Sequence, residues 1–227
     1  MPAAKRHLRR QGKKTQRREQ ILAAAFAEFA INGYAATRLD DVARRARIAK
    51  GTVFLHFKNK KLLFRSVVRN MIHPVLGDID TFVASFPGSN AELLSELLSR
   101  PYSEVVKNEK AREIIRLLIG EARKFPQLSE IYHREIIQPG MTAIRLVLEK
   151  GIAAGEFRRT ATVDFPQILV APMVLAVVWT LIHGEQQPLD LDSYMAAHLD
   201  LLLDALRQAG EPLEAGKTEA TAPRGMQ

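Results

Sequence analysis

The chain has 227 residues, 47% of them hydrophobic, with a formal net charge of +8 and no cysteine, so a sizeable core is affordable while disulfides, thiolate metal sites and thiol nucleophiles are excluded. Residues 1–65 hold 17 Lys and Arg against four acids, a balance of +13, and the remainder holds 16 against 21, a balance of −5. A basic end on a mildly acidic body is the footprint of a polyanion-binding module joined to a different working domain, although charge alone equally describes a soluble surface with a charged tail.

Residues 1–14 contain Lys5, Arg6, Arg9, Arg10, Lys13 and Lys14 with almost nothing to bury, and are expected to be a disordered basic arm. No apolar stretch of signal-peptide length follows it, so the cytoplasm is the expected compartment. Ile21, Leu22, Ala25, Phe26 and Phe29 then recur at three- and four-residue spacing, which predicts a first helix over 16–32, ended by Asn32-Gly33. Thr37-Arg38-Leu39-Asp40 has the form of a capping box opening a second helix, with Leu39, Val42 and Ala43 as its buried stripe and an end near Ala46. Across the short Arg47-Ile48-Ala49 connection a third helix runs from Lys50 to His56, and Asn59 caps a fourth that bears Leu62, Leu63, Val67 and Met71.

Beyond Gly77 the period stays helical, with stops that predict helices over 90–99, 102–124, 127–154 with a kink at Pro139, 163–183 and 192–208. The expected fold is all-α, about nine helices. Its expected parts are the arm (1–14), a helix-turn-helix domain (15–64), a helical body (65–209) and a disordered tail (210–227). The longest apolar run, Phe165 to His183, is interrupted by Pro166, Gln167 and Pro172, so no membrane span is expected.

Two short helices joined by about three residues are the geometry of a DNA-reading helix-turn-helix, whose second helix enters the major groove. Lys50 can reach a phosphate or the acceptor edge of guanine, Gly51 lets the backbone approach, and Thr52 can meet a base edge or a thymine methyl. Phe54 and Leu55 offer apolar surface to sugars and methyls. Thr37 and Lys60 can bind phosphate from helix starts. Val53 and Phe57 fit the core better than a contact, Phe54 fits either, and His56 is a DNA contact or a residue that stabilises the helix end.

The run Ile48 to Leu63, preceded by Gly33-Tyr34-Ala35-Ala36-Thr37 and Asp41-Val42-Ala43, resembles the N-terminal domain of TetR-family repressors over about 50 residues. The resemblance implies that Lys50, Gly51, Thr52 and Leu55 face bases and that Thr37, Phe54, His56 and Lys60 lie on or near the backbone. The family commonly has tyrosine where this chain has Phe54, so one hydroxyl-to-phosphate bond is lost. The resemblance further implies a homodimer on a palindromic double-stranded operator, paired through helices 163–183 and 192–208 with Leu169, Val170, Met173, Val177, Leu199, Leu202 and Leu206 as apolar candidates. Residues 116–157 also resemble the C-terminal domain of AefR-like members. A repressor released by a small apolar or aromatic effector is the expected function, with an activator or a ligand-independent DNA-binding protein as the alternative.

The effector pocket is expected among aromatic and Met side chains of the body: Phe82, Phe86, Leu117, Phe125, Tyr132, Met141, Met173, Trp179 and His183. No cofactor is expected, and the six His have no metal-ligand spacing. His133-Arg134-Glu135 and His183-Gly184-Glu185 place acids beside bases, but sequence neighbours do not face one another on a helix, so an enzyme is not expected. An RNA-binding module would need aromatic platforms on strands, and the sequence has no strand pattern.

Overall fold

The structure, a computed structural model, describes residues 2–207 apart from 78 and 185, with the backbone alone at 2–11 and 71–76. The stretch read as a disordered tail, 210–227, lies outside the described residues, as does Glu185. Among the described residues eleven α-helices run in order: α1 (Pro2–Ala36), α2 (Leu39–Arg45), α3 (Lys50–His56), α4 (Lys60–Leu76), α5 (Ile79–Ser85), α6 (Asn90–Pro101), α7 (Glu109–Glu121), α8 (Pro126–Tyr132), α9 (Gln138–Ala153), α10 (Gln167–His183) and α11 (Leu191–Leu206).

Four departures from the expected elements have local causes. The backbone of 2–14, expected to be a disordered arm, continues α1, a stretch rich in Ala, Lys and Arg that favours helix. A short helix, α5, was not foreseen between Gly77 and the Phe86-Pro87-Gly88 stop. The segment 102–124 is not one helix: the chain passes through Pro101 into a π-turn at Tyr102–Val106, and Asn108 then caps α7 by accepting from the Ala111 amide at 3.2 Å. At the kink foreseen at Pro139 the helical path widens instead into a second π-turn at His133–Ile137, just before the proline, so the turn that would have paired its missing N–H is already irregular.

One continuous core joins the N-terminal helices to the body. The α1 stripe of Ile21, Leu22, Ala25 and Phe29 meets Val42 and Ala43 of α2, Val53 of α3, and Leu63, Phe64 and Val67 of α4. The same cluster extends into Tyr102, Ile114, Leu117, Leu118 and Leu128. Glu28, buried in α1, accepts from Arg45 Nε at 2.6 Å and from Asn32 Nδ2 at 2.7 Å, pinning α2 across α1. A second cluster binds α6 to α9 through Leu94, Leu98, Ile144, Val147 and Leu148.

The helix α4 is docked on the body by charge as well as by apolar contact. Lys61 pairs with Glu130 at 3.5 Å, and Arg65 and Arg69 share the nearly buried carboxylate of Glu135 at 2.6 and 3.2 Å. Part of the charge asymmetry in the sequence is thus consumed at this internal junction.

Candidate nucleic-acid interface and ligand cavity

The connection between α2 and α3 is tight because Arg47 takes a left-handed conformation, φ +54°, a position that L-residues adopt at a cost of about 1–2 kcal/mol. The Ile48 amide then closes back on the Ala43 carbonyl at 3.0 Å. Val53 and Phe57 are buried beneath α3, so the helix shows its opposite face: Lys50, Gly51, Phe54 and Leu55 are exposed, Leu55 at 87%, with Thr52 and His56 half-buried beside them. A side chain added at Gly51 would meet no atom within 4 Å, which leaves backbone open to close approach. Lys50 is held over this face by Asp40 at 2.7 Å, with both groups exposed, and its ammonium lies 5.9 Å from the Phe54 ring.

His56 closes the face at a cationic edge. Burial, and then the charges of Lys14, Arg18 and Arg17, hold its imidazole below the ordinary histidine range, so the free protein favours the neutral ring there. Arg18, His56, Arg65 and Arg69 line one groove of about 540 Å³. Sequence reasoning missed Arg17 and Arg18; their available signal was that they stand one turn before Ile21 and Leu22 on α1.

Two residues expected on the phosphate side face inward. Thr37 is buried, and its hydroxyl is directed at the carbonyls of Gly33, at 2.6 Å, and Glu28, at 3.1 Å; it does not cap α2, whose N-cap is Arg38 without a side-chain bond. Lys60 directs its ammonium at the carbonyls of Tyr34, Ala35 and Thr37 at 2.6, 3.0 and 3.0 Å and lies 4.6 Å from the centre of the Tyr34 ring. Three donors meet three acceptors, so nothing is left over for a phosphate. Both side chains instead build the turn that separates α1 from α2. Burial pushes the Lys60 ammonium down, and the nearby Glu121 carboxylate opposes that shift.

A cavity of about 470 Å³ opens among the six helices α5 to α10 and the π-turns at 102–106 and 133–137. Its wall is aliphatic: Leu97, Val105, Ile115, Ile119, Ile136, Ile137, Ile144, Val170, Val174, Val177 and Val178, with Tyr132, Met141 and Met173. Arg100 is the one charged residue of this wall, its Nε 3.1 Å from Glu96 and its guanidinium 3.9 Å from the centre of the Phe82 ring. Burial pushes the Tyr132 phenol up, which keeps it a neutral donor.

Only Tyr132, Met141 and Met173 of the nine expected pocket residues line this cavity. Phe82 and Phe86 meet edge-to-face at 5.5 Å, Leu117 is core, Phe125 packs on Tyr34 at 5.4 Å, and Trp179 lies 4.3 Å from His183 while donating to the Gln187 carbonyl. β-Branched residues at helical spacing look the same in sequence whether they face a core or a cavity, so the true wall carried no signal of its own.

Comparison with known proteins agrees with this arrangement. The model for bacterial regulatory proteins of the tetR family matches residues 21–67, and that for the tetracyclin repressor-like C-terminal domain matches residues 94–201. The chain belongs to the TetR family. It is 28% identical over 198 residues to the HTH-type transcriptional repressor KstR2 of Rhodococcus jostii, covering 85% of this chain and 92% of that one. Among solved structures it resembles SmeT in complex with triclosan, with TM-score 0.71, 22% identity, and 86% and 93% of the two chains covered. It also resembles FadR of Bacillus subtilis in complex with stearoyl-CoA, with TM-score 0.65, 20% identity, and 82% and 98% covered. This TetR-family protein is a DNA-binding transcriptional regulator, and its named relatives are regulators, not enzymes. Among the described residues no helix is long and apolar enough to cross a membrane.

Proposed function

We propose that the protein is a homodimeric repressor that grips a palindromic operator with two copies of α3 and leaves it when an aliphatic molecule fills the cavity. Lys50, Gly51, Thr52 and Leu55 read bases, while Phe54 and His56 lie against the backbone. The observation that carries the ligand half is the cavity wall, which, Tyr132 and Arg100 apart, offers methyl and methylene groups and almost no polar surface. The relative named as the fatty acid metabolism regulator of Bacillus subtilis, 22% identical over 187 residues, supports an acyl-type ligand. The wall supports an aliphatic effector over an aromatic one.

An unpartnered apolar face on α10 and α11 supports the dimer. Phe165 just before α10, Ile168, Leu175 and Ile182 on α10, and Leu201 on α11 are between 55% and 73% exposed. The residues picked from sequence for this role serve otherwise: Leu169, Val177 and Leu206 are buried in the chain's own core, and Val170, Met173, Leu199 and Leu202 pack against it. A face of this size in two adjacent helices is best covered by a second copy, which would also set the roughly 34–36 Å spacing needed for successive major grooves.

Selecting bound duplexes from a random DNA pool and titrating saturated fatty acids of increasing length against the selected duplex tests this reading. The expected result is a palindromic consensus, and release that strengthens about fourfold per added methylene until the cavity is full. A non-palindromic consensus sinks the dimer reading, and an operator affinity indifferent to every chain length sinks the ligand reading. In the same assay Lys50→Ala is expected to relax sequence preference by about tenfold, with binding to random duplex little changed. Equal losses on both duplexes would make Lys50 a phosphate contact instead.

A further inference from the structure

The turn between α1 and α2 is held from two sides, and one side belongs to the body. At Gly33 the backbone takes φ +73°, which breaks the helical path of α1 and leaves the next amides without carbonyl partners one turn back. Glu121, the last residue of α7, fills that gap: Oε1 accepts from the Tyr34 amide at 2.8 Å and Oε2 from the Ala35 amide at 3.0 Å. A carboxylate taking two successive backbone amides acts as an N-terminal cap supplied by a distant helix. A Cβ at Gly33 would lie 2.3 Å from Oε1, so glycine is required there both for its positive φ and for this approach. One turn earlier on α7, Arg116 donates to the Ala30 carbonyl at 3.0 Å, so α7 grips α1 on both sides of the break.

The carbonyls of the same turn are held by Lys60, the first residue of α4. The turn therefore lies directly before α2, and its clamp lies directly after α3, so its position bears on both ends of the helix-turn-helix. Ile115 and Ile119, on another side of α7, line the cavity.

We infer that Glu121 is the positioning residue through which α7 sets the orientation of the DNA-reading helices, and that an occupant pressing on Ile115 and Ile119 is felt at the 33–37 turn through it. The second half rests on the ligand reading above; the first does not.

The test uses the full chain, the selected duplex and a random duplex. Glu121→Ala is expected to weaken the selected duplex by about tenfold or more, to leave the random duplex near wild type, to lower the melting temperature by only about 2–4 °C, and to speed hydrogen exchange at the Tyr34 and Ala35 amides while the Phe64 amide stays protected. Glu121→Gln, which keeps one acceptor and turns an NH₂ toward the other amide, is expected to fall between the two. Wild-type affinity in Glu121→Ala with unchanged exchange at 34 and 35 overturns the assignment. So does a loss matched by a fall in melting temperature and in protection throughout the core in both variants. Dodecanoate separates the two readings. A wild type that ignores it sinks the ligand reading while the role of Glu121, measured without it, stands. A Glu121→Ala protein that holds the operator as tightly as wild type and is released normally sinks Glu121 alone.

Discussion

Replacing Phe64 by alanine is expected to lower the unfolding free energy by about 3–5 kcal/mol, the largest effect of any single truncation proposed for this chain. Phe64 is fully buried on α4, its ring edge-on to Phe29 at 5.4 Å and to Tyr34 at 5.5 Å. The substitution removes the transfer free energy of the ring and leaves a hole that helices pinned at both ends cannot close, and it also forfeits two aromatic contacts worth about 0.5–1.5 kcal/mol each. Chemical denaturation read by circular dichroism checks it. Because the core runs unbroken from α1 to α8, a single cooperative transition should shift as a whole. A first transition confined to the N-terminal helices would mean that the head is cored independently.

Lys60→Ala is expected to cost about 1–3 kcal/mol of stability and most of the specific DNA affinity, while leaving the salt dependence of binding unchanged. The reason lies in where the ammonium points. Three carbonyls of the 34–37 turn lose their donor, and the turn that sets α2 against α1 loosens. A phosphate contact behaves otherwise: its removal would reduce the slope of log K against log salt by about 0.9 and leave the fold intact. Titrations at several salt concentrations, together with a melting curve, separate the two. Lys60→Arg should not rescue, since a planar fork cannot present three converging donors in place of an ammonium. A full rescue by arginine, or a reduced salt slope in the alanine variant, would return Lys60 to the phosphate side.

These two residues mark where sequence reasoning holds and where it stops. Phe64 was hidden among Leu62, Leu63 and Val67 as one more apolar residue at helical spacing, and its place at the centre of an aromatic cluster depends on Phe29 and Tyr34 from α1. Lys60 and Thr37 carried family-like positions and polar groups suited to phosphate, yet each is turned toward backbone carbonyls in its own fold. Position along the chain identified both as important. Only their partners say what for.

What the sequence by itself determined is local. The apolar periodicity of α1, the span of α3 from Lys50 to His56, the Asn59 cap on α4 and the family match all arise from residues within one or two turns of each other, where propensity, capping and spacing act directly. The tertiary structure decided the rest. The aliphatic cavity is assembled from six helices and two π-turns, the outward face of α10 and α11 depends on which side the body covers, and the carboxylate that caps the 33–37 turn comes from 87 residues away. Such pairings are selected by the packing of whole helices, and a side chain's nearest neighbours in space leave no periodicity in the chain that could announce them.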